Sequence, residues 1–172
     1  MSENPSSPPA PAGSVALARR NPHEQWRDPE WQRLWLTIDK LSWQTLALVP
    51  AGDGATADFT LGLAVNLSRI GMTHLGRPIQ VADATEVALN QMSGFLGDVR
   101  AYTDAGDRLL VALPPVNKSP TTAAIAKATD AAILCVLLEH MSSAQAKQTI
   151  KAIGPSRFLG TVVIQPDGKP AG

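Results

Sequence analysis

Apolar positions first fall at helical spacing just after Pro29, where Trp31, Leu34, Trp35 and Ile38 follow i, i+3, i+4, i+7. Asp28 stands where an N-cap would, and Pro29 occupies the first helical position, where its missing N–H removes no bond. The pattern then changes. Residues 46–49 form an unbroken apolar run bounded by Pro50, too short for a helix, and predict a buried strand. The turn Ala51-Gly52-Asp53-Gly54 follows. After it a helix is expected over about residues 57–72, with Leu61, Ala64, Val65 and Ser68 on one side.

The alternation continues to the end of the chain. Residues 79–82 read as a strand, 85–94 as a helix, 109–112 as a strand and 123–128 as a short helix. Residues 131–138 form an apolar strand containing Cys135. Ser142 is placed to cap a helix running to Ile153, which Gly154-Pro155 stops, and 158–164 form the last strand. Strands that are apolar throughout, alternating with helices, predict an α/β fold. It is a parallel sheet with helices on both faces, a three-layer αβα arrangement with right-handed crossovers.

Two stretches fall outside this pattern. Residues 1–22 are rich in Pro, Ser and Ala and are expected to be a disordered tail, because they cannot bury enough apolar surface to offset their ordering entropy. Val15-Ala16-Leu17 followed by Arg19 and Arg20 leaves a docking peptide open beside a plain linker. The domain is then residues 23–165, with 166–172 as a short flexible C-terminal tail.

Composition narrows the function classes. With 15 basic and 15 acidic side chains the 172-residue chain has no net charge, which argues against nucleic acid or an anionic membrane as partner. One cysteine rules out an internal disulfide and fits a reducing cytoplasm. No apolar run reaches the roughly 18 residues needed to span a bilayer, and no secretory signal opens the chain. The expectation is a cytoplasmic protein with no direct membrane insertion, held at the inner face of a membrane, if at all, by a partner.

Conventional catalytic constellations are thin. His23, His74 and His140 lie in different segments, with no cysteine or carboxylate at metal-ligand spacing, so no metal is expected. A Cys135–His140 nucleophile pair is conceivable, but a cysteine in mid-strand is ordinarily an inert buried thiol. The strand–glycine turn–helix at residues 46–72 is where a phosphate-binding loop would sit. That loop needs glycines for close backbone approach, a Lys for the β- and γ-phosphates, and a Ser or Thr hydroxyl for Mg²⁺. Gly52, Asp53, Gly54 and Thr56 are present, but Ala55 stands at the Lys position and no nearby Lys replaces it. A tight turn accounts for the same glycines equally well.

Taken together the landmarks resemble the cytoplasmic domain of bacterial tyrosine kinases, the capsule and exopolysaccharide co-polymerase kinases, which are related to the MinD and ParA ATPases. The similarity runs over about residues 29–164. Glu30-Trp31-Gln32-Arg33-Leu34-Trp35-Leu36-Thr37-Ile38 is similar to the family's opening helix E-A-[FY]-R-x-L-R-T-N, one residue shorter before the Arg. Gly52 to Thr56 stand for P-G-E-G-K-[ST], and Asn66-Leu67-Ser68 for N-L-A. Gly76 to Thr85 align with G-[KR]-x-V-L-L-I-D-A-D, placing Asp83 on the first acid and Thr85 on the second. Leu110 to Val116 align with the strand ending D-[ST]-P-P, with Ala112 in place of the Mg²⁺-linked acid. Residues 128–136 and 160–164 resemble the last two family strands.

The resemblance implies a P-loop NTPase-like three-layer αβα fold, and its departures bear on function. Phosphoryl transfer depends on fixed charge, and Ala55, Ala112 and Thr85 have replaced the groups that supply it. The chain also lacks the family's terminal tyrosine cluster, since its one tyrosine, Tyr102, is internal. No catalytic residue is therefore expected, with Asp83 and Thr85 as residual family positions, and ATP and Mg²⁺ binding weak or absent. The expected role is that of a non-catalytic accessory protein in exopolysaccharide, capsule or holdfast-type polysaccharide assembly and export. Its partners would be an inner-membrane co-polymerase or a related kinase, with self-association also open. Alternatives are a divergent ATPase or autokinase completed by a partner, and a MinD- or ParA-like protein of positioning or cellulose secretion. Trp26, Trp31, Trp35 and Trp43 cluster near the first helix, which the resemblance makes a contact surface. Glu30, Trp31, Arg33, Leu34 and Trp35 are its candidate interface residues, against a reading in which the helix packs on its own sheet.

Overall fold

The computed structural model describes residues 27–54, 56, 58–165 and 168–171. The expected N-terminal tail and Ala55 lie outside the described residues. Helix α1 spans Pro29–Asp39, β1 Thr45–Pro50, α2 Phe59–Leu75, β2 Ile79–Asp83, α3 Met92–Asp104, β3 Arg108–Ala112, α4 Thr121–Ala128, β4 Ala131–Leu137, α5 Ser143–Ile153 and β5 Phe158–Ile164. All strand pairings are parallel, in the order β2-β3-β1-β4-β5.

The sheet is buried on both faces, which is why its central strands are apolar throughout. One face carries α1 and α2, whose Trp31, Trp35, Leu63 and Leu67 pack on Leu46, Leu48 and Leu110. The opposite face carries α3, α4 and α5, whose Val99, Ile125 and Ile153 pack on Ala47, Val49 and Val111. Alternate residues of one strand thus serve opposite layers.

Local signals fall where they were expected at the helix starts. The Asp28 side chain accepts from the Glu30 N–H at 3.2 Å, with Pro29 next. Ser142 and Gln145 form a reciprocal capping box on α5. Gly76, at φ 66°, ends α2 in the left-handed conformation that suits glycine.

Four expectations are corrected. The helix predicted over 85–94 begins only at Met92 and runs on to Asp104. Asp83 instead accepts from the N–H and hydroxyl of Thr85, a turn that holds the chain out of helix, and a short 3-10 turn at Leu89–Gln91 follows. Helix α2 buries Thr60, Leu63, Ala64, Leu67 and Ile70 rather than the side carrying Leu61, Val65 and Ser68. The described part of the C-terminal tail folds back on β5: Ala171 N donates to Val163 O and Ile164 bridges Pro170.

The fourth correction concerns Trp31 and Trp35. They are 2% and 1% exposed, so neither offers an interface on the folded chain. Gly71 of α2 explains why, because a Cβ there would lie 2.6 Å from the Trp35 ring and 2.1 Å from Ile79 Cδ1. The missing side chain is a notch into which the indole fits. Trp43 meets Trp35 edge-to-face at 6.3 Å and donates from Nε1 to Ile38 O. Arg108 stacks 3.7 Å from the Trp43 ring centroid and pairs with Asp39 at 2.5 Å. A buried indole removes roughly 200 Å² from water, worth at most on the order of 5 kcal/mol before ordering costs. Of the other interface candidates, Glu30 and Leu34 are half-buried and Arg33 is exposed.

Candidate functional site

In this strand order β1 and β3 are neighbours, yet α2 leads from β1 toward β2 while α4 leads from β3 across to β4. The two connections part on opposite faces of the sheet. Ligands of open α/β sheets bind at such a divergence, outside the carboxyl ends of the strands. Three loops meet there. They are the glycine turn after β1, Asn117 and Lys118 after β3, and residues 138–142 after β4, while Thr85 follows β2 at the sheet edge.

The strand ends beneath them are already satisfied by threonines. Thr149 Oγ1 donates to Ala51 O at 3.1 Å, Thr60 Oγ1 to Leu113 O at 2.7 Å, and Thr122 Oγ1 to Pro114 O at 3.1 Å. Buried carbonyls that the ladder leaves over thereby find donors.

Above them the glycine turn is held by its own chain. Asp53 accepts from Asn117 Nδ2 at 3.0 Å and from the Gln145 side-chain amide, and Lys118 Nζ donates to Asp53 O at 3.2 Å. Those donors, Asn117 first, hold the Asp53 carboxyl below the usual carboxylate range. A Cβ on Gly52 would lie 2.7 Å from Gln145 Oε1, and one on Gly54 only 1.7 Å from the His140 carbonyl oxygen. Gly54 is therefore demanded by the close approach of the β4–α5 backbone, while Gly52 makes room for the Gln145 side chain from the first turn of α5. That loop adopts a left-handed residue at Glu139, φ 67°, a conformation uncommon outside glycine.

The remaining site candidates are spread out. Thr56 is exposed and its carbonyl accepts from Phe59 N at 3.1 Å. Asp83 ends β2 in register with Ala112 of β3, which in turn faces Leu48 of β1. The Asp83 carboxylate is exposed and engaged by Thr85, while Ala112 is wholly buried among apolar neighbours. Cys135 is also buried, and burial pushes its thiol far up, which fits an inert core residue. Among the described residues no group of three or more metal-ligating side chains is found.

Sequence reasoning missed Asn117, Lys118 and Gln145, and weighed His140 only as a metal ligand or a partner of Cys135, whereas its backbone carbonyl is what lies against the turn. It also found no Lys near the turn, whereas Lys118 reaches it from 65 positions away. Only Gln145 left a trace in the sequence, as the third helical residue after Ser142.

The architecture is the three-layer α/β fold found in bacterial tyrosine kinase domains. A solved structure, the BceF tyrosine kinase domain, superimposes with a TM-score of 0.51 and 14% sequence identity, over 83% of this chain and 76% of that one. At that identity the likeness is one of fold. No protein-family model and no curated protein matches the chain. No described helix is long and apolar enough to cross a membrane.

Proposed function

We propose that this chain is a kinase-like protein that works by binding a partner and not by transferring phosphate, its setting being polysaccharide assembly at an inner-membrane co-polymerase. The observation that carries the first half is the glycine turn. Its two glycines sit where a Cβ would clash with Gln145 and the His140 carbonyl, so other parts of the chain crowd the turn, and its carboxylate is engaged by Asn117 and Gln145. A phosphate loop uses such glycines to bring backbone N–H groups onto anionic oxygens. Asp53 puts a negative charge at the same turn, and Ala55 and Ala112 supply none of the opposing charge. The polysaccharide setting rests on the resemblance in the motifs and on fold likeness.

Calorimetry with ATP and Mg²⁺ tests the reading. The expected result is no saturable heat and no phosphate release. A micromolar dissociation constant with turnover would overturn it. Lys118 supports a second reading, a divergent ATPase in which that residue stands in for the missing Lys, because it already reaches the turn. In that case Lys118→Ala should abolish ATP binding while leaving the fold intact.

A further inference from the structure

Helices α1 and α2 run parallel. Trp31 lines one hollow with Leu63 and Asn66, Trp35 abuts Gly71, and Asp39 lies 3.8 Å from His74. Between their outer halves is a groove of about 260 Å³ lined by Gln32, Trp35, Leu36, Ile70, Thr73 and His74. Its floor is apolar, and Leu36 stays 44% exposed on its wall. The buried Trp35 Nε1–H finds no acceptor among the described residues. The volume falls short of the roughly 300–1,000 Å³ of a small-molecule site and suits one inserted side chain.

Basic residues neighbour the lining residues along both helices although the chain is neutral. Arg33 lies one turn before Leu36, and Arg69 beside Ile70 and one turn before Thr73. Lys40 caps the C-terminal end of α1, and Arg77 follows the Gly76 cap of α2. None of these four cations pairs with a carboxylate among the described residues, while Asp39, the acid nearest the groove, is taken by Arg108.

We propose that this groove docks an acidic amphipathic helix of a partner protein, one aliphatic or aromatic side chain filling the hollow and flanking carboxylates meeting Arg33 and Arg69. That is helix-in-groove recognition with the specificity set by charge. It rests on the partner-binding reading above. A second copy of this chain also offers acid beside an apolar group, Asp98 and Tyr102 on α3. However, α3 covers the opposite face of the sheet, so that contact would be heterologous and would build a ring or a filament of copies.

The test uses the full chain, isotope-labelled and titrated with a synthetic Ala/Glu helix carrying one central Leu. Controls replace Glu by Lys, or Leu by Ala. The acidic Leu peptide should bind at least about tenfold tighter than either control and shift the Trp35 Nε1–H resonance. Arg33→Glu with Arg69→Glu should remove that preference without changing thermal unfolding. Equal binding of all three peptides, or shifts confined to the residues around Asp53, would overturn the groove. Self-association abolished by Tyr102→Ala would replace the partner with a second copy. ATP turnover would sink the non-catalytic reading without touching the peptide result, so the two failures can be told apart.

Discussion

Gln145 donates its side-chain N–H to the Asp53 carboxylate while its carbonyl oxygen accepts from the Ser142 N–H at 3.1 Å. One residue therefore ties the first turn of α5 to the glycine turn after β1, 92 positions earlier. Gln145→Ala removes both links. Ser142 still caps the backbone N–H of residue 145, so the lost reciprocal half of the capping box alone should cost about 0.5–1 kcal/mol and lower the melting temperature by roughly 1–4 °C. Amide exchange should rise at residues 52–54 and 142–146 together. Exchange that rises at the helix start alone would mean that the tie to Asp53 contributes nothing.

Gly54→Ala should be worse than an ordinary exposed Gly→Ala change, which costs little or even stabilises. Its Cβ meets a backbone oxygen at 1.7 Å, so the β4–α5 loop has to move. A loss of about 1–3 kcal/mol is expected, read by chemical denaturation. Gly94→Ala and Gly97→Ala, with open space around them in α3, are the controls and should stabilise slightly.

Acid should weaken the fold through two carboxylates. Asn117 and Gln145 hold Asp53 low. Partial burial works to raise Asp130, but the Gln44 and Thr45 N–H groups and the Thr45 hydroxyl outweigh it, and its pKa also lies below the ordinary value. A pKa depressed on folding means that the unfolded chain binds more protons. The stabilisation is present above the unfolded value of about 3.9 and is lost as pH falls through the folded values. Denaturation curves between about pH 5 and pH 2 should flatten in Asp53→Asn and Asp130→Asn. An unchanged slope in both would refute the assignment.

Trp35→Ala should cost roughly 3–5 kcal/mol, because it empties the notch at Gly71 and removes the edge that Trp43 contacts. Gly71→Ala attacks the same joint from the other side by overfilling it, at about 1–3 kcal/mol. Arg33→Ala, on the exposed side of α1, should stay within about 0.5 kcal/mol. Equal stability of the Trp35 and Arg33 variants would place the indole outside the core.

The strands could be read from sequence because burial on both faces leaves unbroken apolar runs, as at Leu46–Val49 and Ala131–Leu137. Helix α3 could not, because Gly94 and Gly97 interrupt its pattern and the Asp83–Thr85 turn delays its start. The site was harder still. Asn117, Lys118 and Gln145 reach Asp53 from 64, 65 and 92 positions away, and only the sheet order brings them there. The sequence leaves the tryptophans of α1 open between a partner surface and packing on the sheet, because that helix lies outside the strand–helix alternation that marks the core. The one clue to packing was a glycine in the middle of α2, whose meaning appears only when the indole is beside it.

Trp31, Trp35 and Trp43 all lie in the α1–α2 layer, and Trp26 falls outside the described residues. The opposite layer holds Phe95 and Phe158 and no tryptophan. The emission of the three described tryptophans is therefore a one-sided signal, with Arg108 stacked on Trp43 and Trp35 at its edge tuning the same few chromophores. Should α3, α4 and α5 loosen first on heating, the ultraviolet spectrum of the backbone would change while the indole light did not. The two optical traces superimpose only if both faces of the sheet let go at once.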